Sequence, residues 1–195
     1  GCDTFAAGDR ECTVAGAHAI EVQDNGLNGT GTYSLQIQRL TASERCGTAI
    51  ACDVPATTDI SAYADTDLHQ FEGVAGERLH VTLGNHGGSY YFDPQWRLLG
   101  PAGCPVTGCD TFAAGDRECT LPVPAVCAPS GDCSFGGEPY AIEVQDNGFN
   151  ATGTYSLQIQ RLKAPLRCGV TLVCDVGATT TLSAHADTDI FELNG

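Results

Sequence analysis

Short stretches of alternating apolar and polar residues recur along the chain, and Gly, Asp or Asn separates one from the next. The stretch at 79–83 reads Leu-His-Val-Thr-Leu, and those at 142–145 and 155–160 have the same two-residue period. In a β-strand this period places alternate side chains on opposite faces. We therefore expect strands with one buried and one solvent-exposed face, about six to eight per unit, that form an antiparallel all-β sandwich.

The chain repeats itself, because three blocks of sequence occur twice in the same order. The matching blocks are 2–13 with 109–120, 19–40 with 141–162, and 46–67 with 168–189. The first pair is offset by 107 residues and the other two by 122, which indicates a 15-residue insertion between Cys119 and Tyr140. The insertion is rich in Pro, Gly and Ser and predicts a surface loop.

The offsets divide the chain into units, and a complete unit of about 100 residues has the size of one small β-sandwich domain. The predicted segments are the C-terminal half of a repeat at 1–40, a linker at 41–62, a complete repeat at 63–162, a second linker at 163–182 and the first strand of a further repeat at 183–195. His69 and Phe71 match Phe191 and Leu193 in the next copy, so these positions are expected to point inward and Leu68 outward.

The composition agrees with this fold and excludes one class of partner. Gly occurs 24 times, Met is absent, and Lys163 is the only lysine. The formal net charge of −15 would repel a phosphate backbone, and no basic cluster is present, so we expect no nucleic-acid partner. The sequence has no start methionine, signal peptide or apolar run of membrane-spanning length. We therefore expect no membrane span, in a processed product or an excerpt of a longer chain.

Eleven cysteines indicate an oxidising compartment, since the chain has no CxxC and no zinc-finger type of Cys/His cluster. Most lie in local pairs. We expect short disulfide loops that each stabilise the fold by about 2–3 kcal/mol, unless some of these residues are buried thiols. The pairs are Cys2 with Cys12, Cys46 with Cys52, Cys109 with Cys119, Cys127 with Cys133, and Cys168 with Cys174. Cys104 is the eleventh, and it is either a thiol or bonded to another chain or repeat. The predicted location is extracellular or on the cell surface.

An ordered set of motifs spans the complete unit. It runs Asp65-Thr-Asp67-x-His69-x-Phe71, Gly76-Glu77-Arg78-Leu79, Phe92-Asp93-Pro94-x-Trp96-x-Leu98, Gly100-Pro101-x-Gly103, Tyr140-Ala-Ile142-x-Val144 and Gly153-Thr-Tyr155-x-Leu157. In this order the motifs resemble the bacterial pre-peptidase C-terminal domain. The resemblance implies a jelly-roll-like β-sandwich without catalytic residues, appended to secreted hydrolases or strung in tandem in surface proteins, which often binds calcium and sometimes collagen or polysaccharide. The dense cysteine pairs and the inserted loop depart from the family's pattern.

Calcium is the candidate cofactor, because it prefers carboxylate and amide oxygens on loops. The candidate ligands are Asp65, Asp67, Asp146 and Asn147 in the complete repeat, Asp24 and Asn25 in the preceding copy, and Asp187 and Asp189 in the following copy. The alternative interpretation is turn chemistry, since Asp and Asn bond to their own backbone and Gln-Asp-Asn-Gly is a typical turn sequence.

Asn28 and Asn150 begin glycosylation sequons at equivalent positions, and the same residues also suit a turn.

The sequence shows no catalytic pattern. None of its five histidines accompanies a G-x-S-x-G, H-E-x-x-H or Cys/His signature. His18 aligns with Tyr140 in the next copy, and such substitution between copies favours a structural role. Trp96, Tyr90 and Tyr91 form a possible sugar-stacking platform, but aromatic residues on a strand more often belong to the core.

Two functions remain as hypotheses. The first is a non-catalytic extracellular structural protein whose near-identical sandwiches assemble head to tail into a surface fibre or filament, with a strand of one copy completing the sheet of another. The second is a calcium-dependent module that binds polysaccharide or a matrix protein and accompanies a secreted hydrolase. Near-verbatim repetition favours the first, because copies that differ so little cannot each have specialised for a separate ligand.

Overall fold

The computed structural model describes residues 11–12, 19–24, 26, 29–40, 46–122, 139–162, 170–172, 181–182 and 187–193. The chain forms two compact units, residues 1–35 and residues 36–195. The described residues of the first unit form no strand, and their apolar side chains Ile20, Val22 and Tyr33 are exposed. No helix in the described part of the chain is long and apolar enough to cross a membrane.

Eleven strands are described, all of them in the second unit. They are β1 (Thr48–Ala49), β2 (Ala56–Ile60), β3 (Thr66–Phe71), β4 (Arg78–Gly88), β5 (Pro94–Leu99), β6 (Pro105–Thr111), β7 (Gly115–Thr120), β8 (Tyr140–Asp146), β9 (Gly153–Arg161), β10 (Val170–Leu172) and β11 (Phe191–Leu193).

The strands form a β-sandwich, which confirms the predicted all-β fold class. The first sheet has the order β1-β3-β8-β5-β6, and the second sheet has the order β2-β9-β4-β7. β10 and β11 make a separate two-stranded sheet. The pairs within the sandwich are antiparallel except β1–β3, and β10–β11 is also parallel. These two parallel pairs are a departure from the predicted antiparallel pattern.

The core lies between the two sheets and is built from the apolar positions of the alternating stretches. The second sheet contributes apolar residues from two strands, Leu79, Val81 and Leu83 of β4 and Tyr155, Leu157 and Ile159 of β9. They face Trp96 and Leu98 of β5 and Ile142 and Val144 of β8 in the first sheet. Each of these side chains is at most 2 % exposed. Burial of such large side chains contributes about 1.5–3 kcal/mol each. The two-residue period therefore identified the inward face of these strands correctly.

The outward faces are less exposed than the alternation predicts. On β9, Ser156, Gln158 and Gln160 are at most 2 % exposed, so this strand is buried on both faces. On β8, Glu143 is 3 % exposed and pairs with Arg97 of β5. The prediction of one wet face is wrong for these strands, because polar partners from other segments cover the outward side chains.

β3 also has two buried faces. Phe71 joins the core and stacks on Tyr140, with ring centroids 5.9 Å apart, and His69 reaches the core side as well. Leu68 points to the opposite face, where it forms a small second apolar cluster with Leu99 and Ala141. The predicted directions therefore agree with the structure, although Leu68 is only 3 % exposed.

The predicted linker at 41–62 contains two strands and is wrong for these residues. β2 pairs with β9 from Ala56 opposite Leu157 to Ile60 opposite Gly153, and Ile60 is 1 % exposed in the core. β1 lies beside β3 at the edge of the first sheet. The signal for β2 was the Ala-Thr-Thr-Asp-Ile sequence, whose β-branched residues favour a strand. β10 likewise lies inside the predicted linker at 163–182.

The Cys109–Cys119 pair predicted from the sequence is a disulfide in the structure, with Cα atoms 5.6 Å apart. Because β6 belongs to the first sheet and β7 to the second, this bond joins the two sheets across the core. Cys12 is also disulfide-bonded, and its predicted partner lies outside the described residues, as do the predicted pairs Cys127–Cys133 and Cys168–Cys174. Cys104 is an exposed thiol.

The predicted Cys46–Cys52 disulfide is wrong. Cys46 is a free, exposed thiol, whereas Cys52 is disulfide-bonded, so the two are not bonded to each other. The chain between them is extended, since it contributes β1 to the first sheet and then crosses to the second, where Cys52 lies opposite Ile159. A disulfide needs Cα atoms within about 7 Å, and an extended connection between two sheets exceeds that distance.

Candidate functional site

The Asp65–Asp67 corner, residues 61–67, leads the chain into β3 and contains two of the candidate ligands. Oδ2 of Asp65 accepts hydrogen bonds from the backbone N–H of Ser61 at 2.7 Å and from its hydroxyl at 2.8 Å. The N–H of Asp65 donates to the carbonyl of Ala62 at 3.2 Å. Asp65 thus closes its own loop, as turn chemistry predicts for aspartate.

A chain of hydrogen bonds leads from this corner into the core. The Tyr155 hydroxyl donates to Oδ2 of Asp67 at 2.7 Å and lies 2.8 Å from Nε2 of His69. Nδ1 of His69 lies 3.2 Å from Oγ1 of Thr48. Since the hydroxyl proton is directed to Asp67, Nε2 of His69 is the donor to the Tyr155 oxygen, and Nδ1 accepts from Thr48.

Burial governs the protonation of this chain. It lowers the pKa of His69 from 6.5 to about 4, so the imidazole is neutral at neutral pH. Burial also raises the pKa of Asp67, an effect that the Tyr155 hydrogen bond opposes and the charges of Asp65 and Asp59 reinforce. The pKa of Tyr155 is raised, first by burial and then by the charge of Asp67. These hydrogen bonds therefore connect β1, β3 and β9 through a neutral imidazole and a neutral phenol.

Asp146 ends β8 and organises the turn that follows. Its Oδ1 accepts from the backbone N–H of Asp93 at 3.0 Å, and its Oδ2 accepts from those of Asn150 at 3.0 Å and Ala151 at 3.2 Å. In the first unit Asp24 accepts from the N–H of Gly29, the residue equivalent to Ala151, at 3.0 Å. The same turn contact thus occurs in both copies, and both carboxylate oxygens of Asp146 are engaged by backbone donors.

The structure does not assemble the candidate calcium ligands into a cluster. Among the described residues no three His, Cys, Asp or Glu side chains are grouped to hold a metal ion. Asn147 uses its side-chain amide to contact Asp93 at 3.4 Å and the carbonyl of Phe112 at 3.2 Å. Asp189 is half-buried beside β11, and Asn25 lies outside the described residues. Calcium binding therefore stays a prediction.

Asp65 and its equivalent Asp187 instead meet glutamines, a partnership that the sequence did not indicate. Nε2 of Gln36 donates to Oδ1 of Asp65 at 3.1 Å, and Nε2 of Gln158 donates to Oδ1 of Asp187 at 3.3 Å. Gln36 and Gln158 are themselves equivalent, since both pairs are related by the 122-residue offset. The 122-residue offset was the only sequence signal for this contact, because it places glutamine at both 36 and 158 and aspartate at both 65 and 187.

A groove of about 400 Å³ lies on the outer face of the first sheet. Its floor carries Arg97, whose guanidinium makes two bonds to the Glu143 carboxylate, at 2.8 and 3.2 Å. Gln95 and Gln145 flank this ion pair, and Phe112, 75 % exposed, lies at the rim. Paired donors and acceptors beside an exposed aromatic ring suit a hydroxyl-rich or amide-rich ligand.

The sequence motifs did not indicate the contact between His86 and Ser156. Nε2 of His86 is hydrogen-bonded to Oγ of Ser156, which also lies 3.1 Å from Oγ1 of Thr57. Ser156 is fully buried on β9, so no substrate carbonyl can reach its hydroxyl in this arrangement. The contact covers the outward face of β9.

The remaining sequence candidates fall at separate places. Trp96 is 1 % exposed and belongs to the core, whereas Tyr90 and Tyr91 lie in the turn between β4 and β5 and are 92 % and 72 % exposed. These three aromatic residues therefore do not form one platform. Asn150 is exposed, as a glycosylated residue must be, and Asn28 lies outside the described residues.

Replacing Asp146 with alanine is expected to lower the free energy of unfolding by about 3 kcal/mol. The reason is that three backbone N–H groups, one of them on fully buried Ala151, lose a charged acceptor. Urea unfolding followed by the fluorescence of Trp96, the only tryptophan, measures the change. The matched control is Asp116→Ala, whose side chain is 67 % exposed and should cost less than about 1 kcal/mol. Equal losses in the two variants would contradict this role of Asp146.

His69 is expected to make the stability fall as the pH is lowered. Its folded-state pKa of about 4 lies below the unfolded value of 6.5, so its contribution is present above pH 6.5 and is lost toward pH 4, by about 1.4 kcal/mol per unit. His69→Phe, the residue found at the equivalent position 191, should remove this dependence. Urea unfolding between pH 7 and 5 tests it, with His80→Phe as control. Identical pH slopes in the wild type and His69→Phe would refute it.

Comparison with known proteins adds likeness of fold only. No protein-family model and no curated protein matches the sequence. Among solved structures, the periplasmic inhibitor of g-type lysozyme PliG from Aeromonas hydrophila is 15 % identical with a TM-score of 0.39, over 58 % of this chain and 96 % of that chain. The pre-peptidase C-terminal domain of the collagenase from Bacillus anthracis is 13 % identical with a TM-score of 0.37, over 65 % of this chain and all of that domain. This chain is similar to both in fold, at identities and TM-scores that carry no conclusion about its function.

Proposed function

We propose that the chain is a segment of a non-catalytic, extracellular structural protein in which near-identical β-sandwiches follow one another and assemble head to tail into a fibre. The observation that carries this proposal is that the structure repeats with the sequence. β1 pairs with β3 in parallel, Thr48 opposite His69, and β10 pairs with β11 in parallel, Val170 opposite Phe191. Both partners are shifted by the same 122 residues.

The recurrence in register supports a tandem array. The two parallel pairs join equivalent residues in the same register, so equivalent sequence adopts the same pairing 122 residues later. β10 and β11 thus repeat the pairing of β1 and β3, and this repetition supports a chain organised as a string of copies.

The environment of the three histidines that the structure describes supports a non-catalytic role. His69 is 3 % exposed, and both of its ring nitrogens are hydrogen-bonded, to Tyr155 and to Thr48. Ser156, which is hydrogen-bonded to His86, is fully buried. His80 lies at the surface of the second sheet beside Asp116, at 3.1 Å, without a described nucleophile in contact. General acid–base or nucleophilic catalysis requires such groups to converge where a substrate can bind.

Electron microscopy of the purified chain, and of versions extended by one and two 122-residue periods, tests the array. We expect particle length to grow by an equal increment with each period, and fibres to form at high protein concentration. Particles that stay compact as periods are added would contradict the tandem array. Extended but dispersed particles at millimolar concentration would contradict assembly into fibres.

The groove beside Phe112 favours a second candidate function, binding of a polysaccharide or matrix protein. In this role the Arg97–Glu143 pair and its neighbouring amides supply hydrogen bonds, and Phe112 offers a face for stacking. Calcium dependence would come with it only if the acidic corner takes up the ion.

A glycan and matrix-protein array, probed with and without a chelator, distinguishes this candidate. If the groove binds, Phe112→Ala should weaken the binding of the selected polymer about tenfold, because stacking of one ring is lost. Tyr90→Ala is the matched control, since Tyr90 is also exposed but lies outside the groove. Absence of selective binding, or equal loss in both variants, excludes the groove as the binding site.

A further inference from the structure

We propose that successive copies are locked together by a two-part joint, in which the end of one copy docks on the outer face of the next copy's first sheet. The polar half consists of two glutamines that bind the Asp-Thr corner of the next copy. The apolar half is a leucine that completes an apolar cluster on that copy. The docking partner is another copy of the repeat, so the proposal rests on the proposed function and specifies how its array is held.

The polar half is seen first where residues 36–40 end the preceding copy. Nε2 of Gln36 donates to Oδ1 of Asp65 at 3.1 Å and to the carbonyl of Thr66 at 3.2 Å. Nε2 of Gln38 donates to the same carbonyl at 2.5 Å. Gln36 and Gln38 are two residues apart, so in extended backbone both side chains extend from one face.

The same contacts recur at the end of the described sandwich. Gln158 donates to Oδ1 of Asp187 and to the carbonyl of Thr188, both at 3.3 Å, and Gln160 also donates to that carbonyl. The N–H of Thr188 donates back to Oε1 of Gln158 at 2.8 Å. Every residue in this set is shifted by 122 from its counterpart at the first joint, so one arrangement occurs twice in the chain.

Burial makes the second joint more than a surface contact. Gln158 and Gln160 are 1 % and 2 % exposed although they lie on the outward face of β9. Buried amides require partners, and these amides find theirs on Thr188, on Asp187 and, for Gln160, on Asp53 at 3.1 Å. Gln160 thereby connects the loop between β1 and β2 to the segment that begins the next copy.

The apolar half lies on the outer face of the first sheet. Leu40, from the end of the preceding copy, packs on the cluster of Leu68, Leu99 and Ala141, whose members are at most 3 % exposed. These three residues belong to three adjacent strands, β3, β8 and β5. Leu162 is the equivalent of Leu40, 122 residues later.

Gly103 shows how closely Leu40 is held. A Cβ atom at position 103 would lie 2.7 Å from Cβ of Leu40 and 2.8 Å from its carbonyl oxygen. Gly103 also has a φ of 84°, in the turn that joins β5 to β6. A side chain at this position would therefore displace Leu40 as well as strain the turn.

Two contacts fix the position and the direction of segment 36–40 on the sandwich. The glutamines hold the corner at the start of β3, and the leucine packs across β3, β8 and β5. Rotation of the segment about one contact would break the other.

Hydrogen exchange on the full chain, followed by mass spectrometry of peptides, tests the polar half. We expect peptides covering 187–190 to exchange at least tenfold faster in the Gln158→Ala/Gln160→Ala variant than in the wild type, since the Thr188 N–H loses its acceptor. Gln95→Ala is the matched control, because Gln95 lies on β5 of the first sheet, whereas Gln158 and Gln160 lie on β9 of the second. Unchanged Trp96 emission verifies that the sandwich is intact.

If the glutamine variant loses the sandwich, Asp187→Ala/Thr188→Pro serves instead, because both residues lie outside it and the proline removes the Thr188 donor. In that variant the side-chain amides of Gln158 and Gln160 should exchange at least tenfold faster by NMR. The polar half is overturned if exchange is already unprotected in the wild type, or if neither variant accelerates it.

Gly103→Ala tests the apolar half against Gly108→Ala. Both glycines have a positive φ, 84° and 76°, but a Cβ at 108 would meet nothing within 4 Å. The backbone strain is therefore matched, and only the first variant displaces Leu40. Trypsin should cleave the Arg39–Leu40 bond at least fivefold faster in Gly103→Ala than in Gly108→Ala. Equal cleavage rates would overturn this half of the joint.

These outcomes are separable from those of the array experiment. Copies that lengthen the particle regularly but show no protection at 187–190 would support the structural array and overturn the joint. Protection and cleavage as expected, in particles that do not lengthen with added copies, would support the joint and contradict the array.

Discussion

β9 is the strand on which both the sandwich and its contact with the following copy depend. Tyr155 and Leu157 fill the core from one face, while Gln158 and Gln160 bind the Asp187–Thr188 corner from the other. Because alternate residues of a strand face opposite sides, a slip of one residue would place glutamines in the core and leucine at the corner. The pairing of β9 with β2 and β4 prevents that slip.

The core of the sandwich could be predicted from the sequence, since the two-residue period depends only on local residue types. Leu79, Val81 and Leu157 lie where that period places them. The disulfide between Cys109 and Cys119 could also be anticipated, because two cysteines only ten positions apart come close together when the chain between them turns back. In both cases residues near in sequence determine the outcome.

The rest depended on contacts between distant segments. The alternating pattern predicts that Gln160 is solvent-exposed, but the fold places Asp53, 107 residues earlier, in contact with its side chain. Cys46 and Cys52 look like a local pair until β1 and the crossing between sheets separate them. For the candidate site, the repeat identified Asp65 and Asp187 as equivalent, but only the fold revealed that each meets a glutamine from the end of the preceding copy.

The glutamine–aspartate contact of each joint is made by residues close together along the chain, with Gln36 29 residues before Asp65 and Gln158 29 residues before Asp187. A gene rearrangement that adds or removes one 122-residue period would therefore carry a complete set of joint residues with it. Every new boundary would be built from the same glutamines, aspartate and leucine. In the proposed array, unequal recombination between near-identical copies would change the number of copies while each junction keeps the same residues.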